Sequence, residues 1–248
     1  IIGGCPGGTC LDTYATSDGV SPFVEAPQTL NTERAYHVAI SAIVNGKERM
    51  YVCGGADDGA TTNLDTCEYF EQGSSDWVTL TAKMSLKRFY AFGTLLGDSK
   101  TFMICGGLDE TSYHKSCDKF IVTNNKFSIV PSGEMSVPRS FAAAVLYKNK
   151  MVVLGGFADE VNAYMNVNTA EQYDPVTNKF TSFKPFQTPR QSFGASVLNG
   201  QIYISGGINA SELQSVERFN GNQWGFVAPL STERNYHSMV SFKGKLYM

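Results

Sequence analysis

Six cysteines, five arginines that each open a short apolar segment, and two tyrosine–histidine pairs are the residues with most chemistry to offer. Cys5, Cys10, Cys53, Cys67, Cys105 and Cys117 could bridge, ligate a metal or lie as buried thiols. Arg34, Arg88, Arg139, Arg190 and Arg234 carry planar forks suited to gripping carboxylate or phosphate oxygens in pairs. Tyr36-His37 and Tyr236-His237 lie just beyond the first and last of those arginines, and copper accepts such imidazole donors. Other chemistries find no motif. GGCPGG lacks the Lys-Ser/Thr of a phosphate cradle, and there is no G-x-S-x-G, H-E-x-x-H or C-x-x-C. The cysteine spacings match no zinc pattern.

The elements that must position these residues recur. Glycine pairs start at Gly3, Gly54, Gly106, Gly155 and Gly206, spaced 51, 52, 49 and 51 residues apart. An apolar run precedes each of the last four pairs (YVC, FMIC, VVL, IYIS), and a polar loop follows. Then come a segment ending in an aromatic (LDTCEYF, KSCDKF, NTAEQY, LQSVERF), a lone large aromatic, and the arginine. Each arginine opens a segment rich in small residues: RAYHVAISAIV, RFYAFGTLL, RSFAAAVLY, RQSFGASVL, RNYHSMVSF. No helical periodicity interrupts the pattern, and a period near 50 residues is that of a four-stranded propeller blade.

These motifs resemble the kelch repeat, and the resemblance covers essentially the whole chain. It implies an all-β fold: a kelch-type β-propeller of four-stranded blades, five repeats visible, part of a six-bladed ring. The alternative is a five-repeat ring in which KLYM completes IIGG. One domain is expected over 1–248, with repeats near 1–33, 34–87, 88–138, 139–189 and 190–233 and a partial one over 234–248. The implied function is a non-catalytic module that binds a protein or peptide with the loops at one mouth. Inside cells it resembles the substrate-recognition half of a ubiquitin-ligase adaptor or an actin-associated protein; outside, an adhesion module. The alternative is a propeller enzyme like the copper-radical oxidases, using Tyr36, His37, Tyr236 and His237; the cysteine such chemistry needs near those tyrosines is absent.

Two sets of loops carry the expected partner contacts. The loops after the glycine pairs supply Asp57, Asp58, Asp109, Glu110, Asp159, Glu160 and Asn209. The segments entering the inner strands supply Arg34, Tyr36, His37, Arg88, Tyr90, Arg139, Ser140, Arg190, Gln191, Arg234, Tyr236 and His237. The arginines have two readings. Each could pair inside its blade with Glu68, Asp118, Glu171 or Glu217; Ala15 stands at that place in the first repeat. Alternatively they form a ring of guanidiniums around the mouth. No catalytic residue, metal or cofactor is expected.

Cys53 with Cys67 and Cys105 with Cys117 fill the same two slots in two repeats, where the next two have Leu154 with Ala170 and Ser205 with Val216. The slots lie on adjacent antiparallel strands, where a cross-strand disulfide can form. Cys5 and Cys10 form a third candidate pair within their own loop, and buried thiols are the other reading. Complete pairing and the Asn209-Ala210-Ser211 sequon lean toward an extracellular protein. The resemblance to intracellular adaptors points to the cytoplasm instead. A net charge of −3 without a basic run offers no footprint for nucleic acid. No apolar segment nears the roughly 18–20 residues that span a bilayer.

Overall fold

The computed structural model describes residues 2–4, 11–16, 24–25, 29–57, 62–123, 126–131, 133–159 and 163–248. Among them every regular element is a strand. Four antiparallel four-stranded sheets follow in chain order. Blade A comprises Val38–Val44, Lys47–Cys53, Cys67–Glu71 and Val78–Thr79. Blade B comprises Phe92–Leu95, Thr101–Cys105, Cys117–Thr123 and Lys126–Pro131. Blade C comprises Ala143–Tyr147, Lys150–Leu154, Ala170–Asp174 and Lys179–Phe183. Blade D comprises Gly194–Leu198, Gln201–Ser205, Val216–Phe219 and Trp224–Val227.

A three-stranded sheet over Ile2–Gly4, Leu11–Thr16 and Val24–Glu25 precedes them, and a hairpin of Val240–Phe242 with Lys245–Tyr247 follows. Ile2–Gly4 ends in a glycine pair and Lys245–Tyr247 follows an inner strand, so both are second strands. No ring closure is detected among the described residues.

Local chemistry explains the strands. Val38–Val44 alternates buried and exposed along its length, the period-two signature of a strand with one covered face. The turns Asn45-Gly46, Lys148-Asn149, Asn199-Gly200 and Lys243-Gly244 hold both central residues at positive φ. That is the type I′ geometry, one of the two two-residue turns whose twist matches that of the flanking strands. The inner strands lie beside one another in chain order. The cores lie between consecutive blades: Tyr51 of blade A meets Phe102 of blade B at 5.1 Å, and Phe102 stacks on Phe120 at 4.7 Å.

Cys53 and Cys67 are register partners across two strands of blade A and are disulfide-bonded; Cys105 and Cys117 repeat this in blade B. Cys5 and Cys10 lie outside the described residues. Both described bridges are buried and close short loops, with sequence separations of 14 and 12. Chain-entropy arguments give each about 3 kcal/mol. Reduction under native conditions should therefore lower the urea midpoint measurably, and Cys53, Cys67, Cys105 and Cys117 should resist alkylation until a reductant is added. Immediate labelling of these four in unreduced protein would contradict the pairing.

Candidate partner-binding mouth

The glycine pairs join one blade to the next. The second glycine of each pair donates its N–H to the carbonyl of the next blade's arginine: Gly55 to Arg88 at 2.8 Å, Gly107 to Arg139 at 2.9 Å, Gly156 to Arg190 at 2.9 Å, Gly207 to Arg234 at 2.8 Å. Arginine side chains turn the other way, into their own blades. Arg34, Arg88, Arg139 and Arg190 are buried, none more than 1% exposed. Each donates through Nη1 to the carbonyl of its own blade's first glycine: Gly54, Gly106, Gly155 and Gly206, at 2.8–3.0 Å. Each also meets an acid: Glu68 at 2.7 Å, Asp118 at 3.5 Å, Glu171 at 2.9 Å and Glu217 at 2.9 Å.

The acids in turn accept backbone N–H groups just ahead of the arginines: Asn31 and Thr32 on Glu68, Ser85 on Asp118, Ser136 on Glu171, Gln187 and Thr188 on Glu217. The mouth ring of guanidiniums is thus corrected for these four: the forks lie inside the blades and expose no charge to a partner. Ser140, also expected on the surface, is fully buried. Arg234 is half-buried.

A second feature recurs two residues beyond every arginine. Tyr36, Tyr90, Phe141, Ser192 and Tyr236 all hold φ between 49° and 57°. Bulky residues rarely adopt the left-handed region; each costs on the order of 1–3 kcal/mol and persists only where its surroundings enforce it. Here they are linked in a chain of backbone hydrogen bonds: Tyr90 N to Tyr36 O at 3.0 Å, Phe141 N to Tyr90 O at 3.1 Å, Ser192 N to Phe141 O at 2.9 Å, Tyr236 N to Ser192 O at 2.8 Å. Each link crosses from one blade to the next.

That chain brings four aromatic rings together. Tyr90 lies at the centre, with Tyr36 at 4.4 Å, Phe141 at 3.9 Å and Tyr236 at 6.4 Å between ring centroids. Tyr236 meets Phe141 edge-on at 6.2 Å. Tyr90 is half-buried, and burial, with a hydrogen bond to Tyr36, pushes its phenol well above the ordinary value. Tyr36 stays 39% exposed and Tyr236 59%, so the cluster offers open ring faces.

The loops beyond the glycine pairs rise beside the cluster, tied to the residue after each arginine. Ala35 bridges Ala56, Phe89 bridges Leu108, and Gln191 bridges Ile208. In blade C the contact widens into a small sheet of Arg139–Ser140, Phe157–Asp159 and Tyr164–Asn166. Asp57 accepts the Thr62 N–H at 2.7 Å. Asp109 shapes its loop by accepting Thr111 N–H and Oγ1–H, both at 2.7 Å, and Ser112 N–H at 2.9 Å. Burial would raise its pKa, but those bonds and His114 outweigh it and hold it low. Glu110 is exposed, with Lys87 4.0 Å away. Asn209 is exposed and Gln191 half-buried. Asp58 and Glu160 lie outside the described residues, and for Asp159 only the backbone is described.

His37 and His237 pack against glycines of the blades. The His237 ring lies over Gly194 and Gly206, the place Phe193 takes over Gly155, and Nε2 hydrogen-bonds Ser205 Oγ at 3.0 Å. His37 is half-buried against Gly55. Among the described residues no three His, Cys, Asp or Glu side chains converge to hold a metal ion. Burial, reinforced by Arg34 and Arg234 respectively, lowers both imidazoles to about 4. Unfolded, they titrate near 6.5. The unfolded chain therefore binds more protons below that value, and stability falls as pH drops from 6.5 toward 4. His237→Phe should make that loss shallower in urea melts at stepped pH; an unchanged slope would show that His237 is not held neutral.

One recurring signal went unread in the sequence. Thr66-x-Glu68, Ser116-x-Asp118 and Ser215-x-Glu217 place a hydroxyl beside each arginine, Nη2 donating at 3.3, 2.8 and 2.9 Å. Thr169-x-Glu171 has the same spacing. A hydroxyl or carboxylate two residues apart on one strand faces the same side, which is where the guanidinium lies.

Comparison with known proteins places this architecture. A family model, the KLHDC2/KLHL20/DRC7 Kelch-repeats domain, matches residues 40–248. Kelch-like protein 23 of Homo sapiens is 28% identical over 217 residues, 84% of this chain and 35% of that protein. Spermatocyte protein spe-26 of Caenorhabditis elegans is 25% identical over 189 residues, 73% of this chain and 32% of that protein. The chain thus spans about a third of the length of these curated relatives. A solved structure titled "Structure of YjhT" superposes with a TM-score of 0.77 at 13% identity, covering 99% of this chain and 88% of the other. That likeness concerns the fold.

Proposed function

For a chain that belongs to the kelch-repeat family and is a protein-interaction module of it, we propose that the partner is held at the aromatic-centred mouth. The observation that carries this reading is the meeting of Tyr36, Tyr90, Phe141 and Tyr236, from four of five successive repeats, with Tyr36 and Tyr236 exposed. Aromatic side chains give large contact area at low entropic cost, and they dominate the energetics of many interfaces. The loops after the glycine pairs form a polar rim with Asp57, Asp109, Glu110 and Asn209. Arg34, Arg88, Arg139 and Arg190 serve as scaffold beneath this surface. The module is non-catalytic and the contacts lie within a single propeller domain over 1–248.

The reading is tested with a photo-reactive benzoylphenylalanine at position 236 or 209, and at Asn149 in a hairpin turn at the opposite sheet end. In extracts of cells that make the protein, the first two should give discrete protein adducts and the third none. Adducts only from position 149 would overturn the assignment of the mouth.

A further inference from the structure

Resting on that reading, we propose that the mouth selects its partner through a cationic side chain, lysine or arginine, seated against the Tyr36–Tyr90–Phe141–Tyr236 cluster. Three observations converge on this chemistry. Ring faces carry negative quadrupole charge and attract ammonium or guanidinium groups. Among the described residues the cation–π contacts, Arg49 on Tyr69, Lys119 on Tyr173, Lys148 on Tyr147 and Lys243 on Phe242, leave these four rings aside.

Most charges on the segments around the cluster are negative. Exposed Glu33 and Glu233 directly precede the arginines of their repeats, and Glu212 sits in the loop after Gly206-Gly207. Asp57, Asp109 and Glu110 add to them from blades A and B. On the positive side, Lys87 already faces Glu110 at 4.0 Å, Arg34, Arg88, Arg139 and Arg190 are buried, and half-buried Arg234 beside Glu233 remains. An acidic segment would meet this rim with repulsion, whereas a basic one is complementary to both rim and rings.

The third observation is rigidity. The left-handed turns and the hydrogen-bond chain fix ring positions before any partner arrives, so binding loses little conformational entropy at those side chains. Ser192, the non-aromatic member of the chain, makes the same turn, so the rings are not needed to make it.

Fluorescence anisotropy on the full chain provides the test. The probe is a fluorescein-labelled Gly-Ser-Arg-Gly-Arg-Ser-Gly peptide, compared with versions carrying citrulline or glutamate at both arginines. Citrulline keeps the shape and removes the charge. The arginine peptide should bind, with the citrulline peptide about fivefold or more weaker and the glutamate peptide weakest, in keeping with the usual cation–π range. Tyr236→Leu should cost a similar factor while Tyr236→Phe retains binding, and Glu233→Lys should weaken it in a salt-dependent way. Thermal melts confirm that each variant is folded. Equal affinity for arginine and citrulline, preference for glutamate, indifference to Tyr236→Leu, or no binding at millimolar peptide would each overturn the proposal. Mouth adducts from position 236 alongside any of those outcomes would leave the partner-binding reading intact and remove only the cationic ligand.

Discussion

Glu217→Ala is expected to destabilise the protein by about 3–5 kcal/mol, the cost of removing one partner from a buried ion pair. Both side chains of the Arg190–Glu217 pair are fully buried, with Nη2 2.9 Å from Oε1. Loss of the carboxylate leaves the guanidinium with neutral acceptors only, the carbonyls of Thr188, Gly206 and Ser215 and the Ser215 hydroxyl. It also strips the Gln187 and Thr188 N–H groups of their acceptor. The midpoint of thermal unfolding should drop by on the order of 10 °C. Trp224, paired with Phe219 in the same blade, is a suitable fluorescence reporter. A double variant, Arg190→Met with Glu217→Met, should recover part of the loss, since apolar pairs of similar volume replace buried ion pairs at little cost. Asp118→Ala should cost less than Glu217→Ala, because the shorter Asp118 carboxylate stands 3.5 Å from Arg88. Equal stability of wild type and Glu217→Ala would remove the arginine–acid pairs from the scaffold.

Gly54→Ala carries the second large effect, expected at about 3 kcal/mol. Gly54 holds φ at +68°, where an L side chain costs on the order of 1–2 kcal/mol. A Cβ there would also stand 2.5 Å from the Arg88 carbonyl oxygen, which is the acceptor that joins blade A to blade B. Forcing that junction apart adds an overpacking penalty of about 1–3 kcal/mol. Gly46→Ala makes the comparison clean. Gly46 has φ +78° but open space around it, so only the backbone term of roughly 1 kcal/mol applies. Urea midpoints for the two variants separate the terms; equal losses would mean that the glycine pair is not a close junction.

The repeat was legible because its backbone demands are severe. Glycine pairs in phase mark places where φ must be positive and a carbonyl of the next blade presses close, and no other residue serves there. The arginine–acid pairs were also readable, since Glu68, Asp118, Glu171 and Glu217 each stand two residues before the aromatic that closes their segment, Phe70, Phe120, Tyr173 and Phe219. Spacing does not report depth, however. The same pattern would suit arginines that pair inside the blade or arginines that point outward, and burial decides it for Arg34, Arg88, Arg139 and Arg190.

Tyr36, Tyr90 and Tyr236 were visible as separate contact residues, whereas neither Phe141 nor the cluster as one surface was. Its convergence depends on the left-handed turn at Tyr36, Tyr90, Phe141 and Tyr236, a conformation that these residue types do not announce. It also depends on the curvature of the blade arc, which sets ring-to-ring distances that no local pattern encodes. The disulfides of blades A and B were legible for the opposite reason: cross-strand neighbours follow from the loop length and the strand register alone.

Chemical labelling of arginine with phenylglyoxal, read by peptide mass spectrometry on the native protein, tests the division between scaffold and surface most directly. Arg34, Arg88, Arg139 and Arg190 should stay unmodified until the protein is unfolded, while half-buried Arg218 and Arg234 react first. Modification of Arg88 or Arg139 in the folded protein, at the rate of Arg218, would contradict the account and return the arginines to the mouth as a ring for acidic partners.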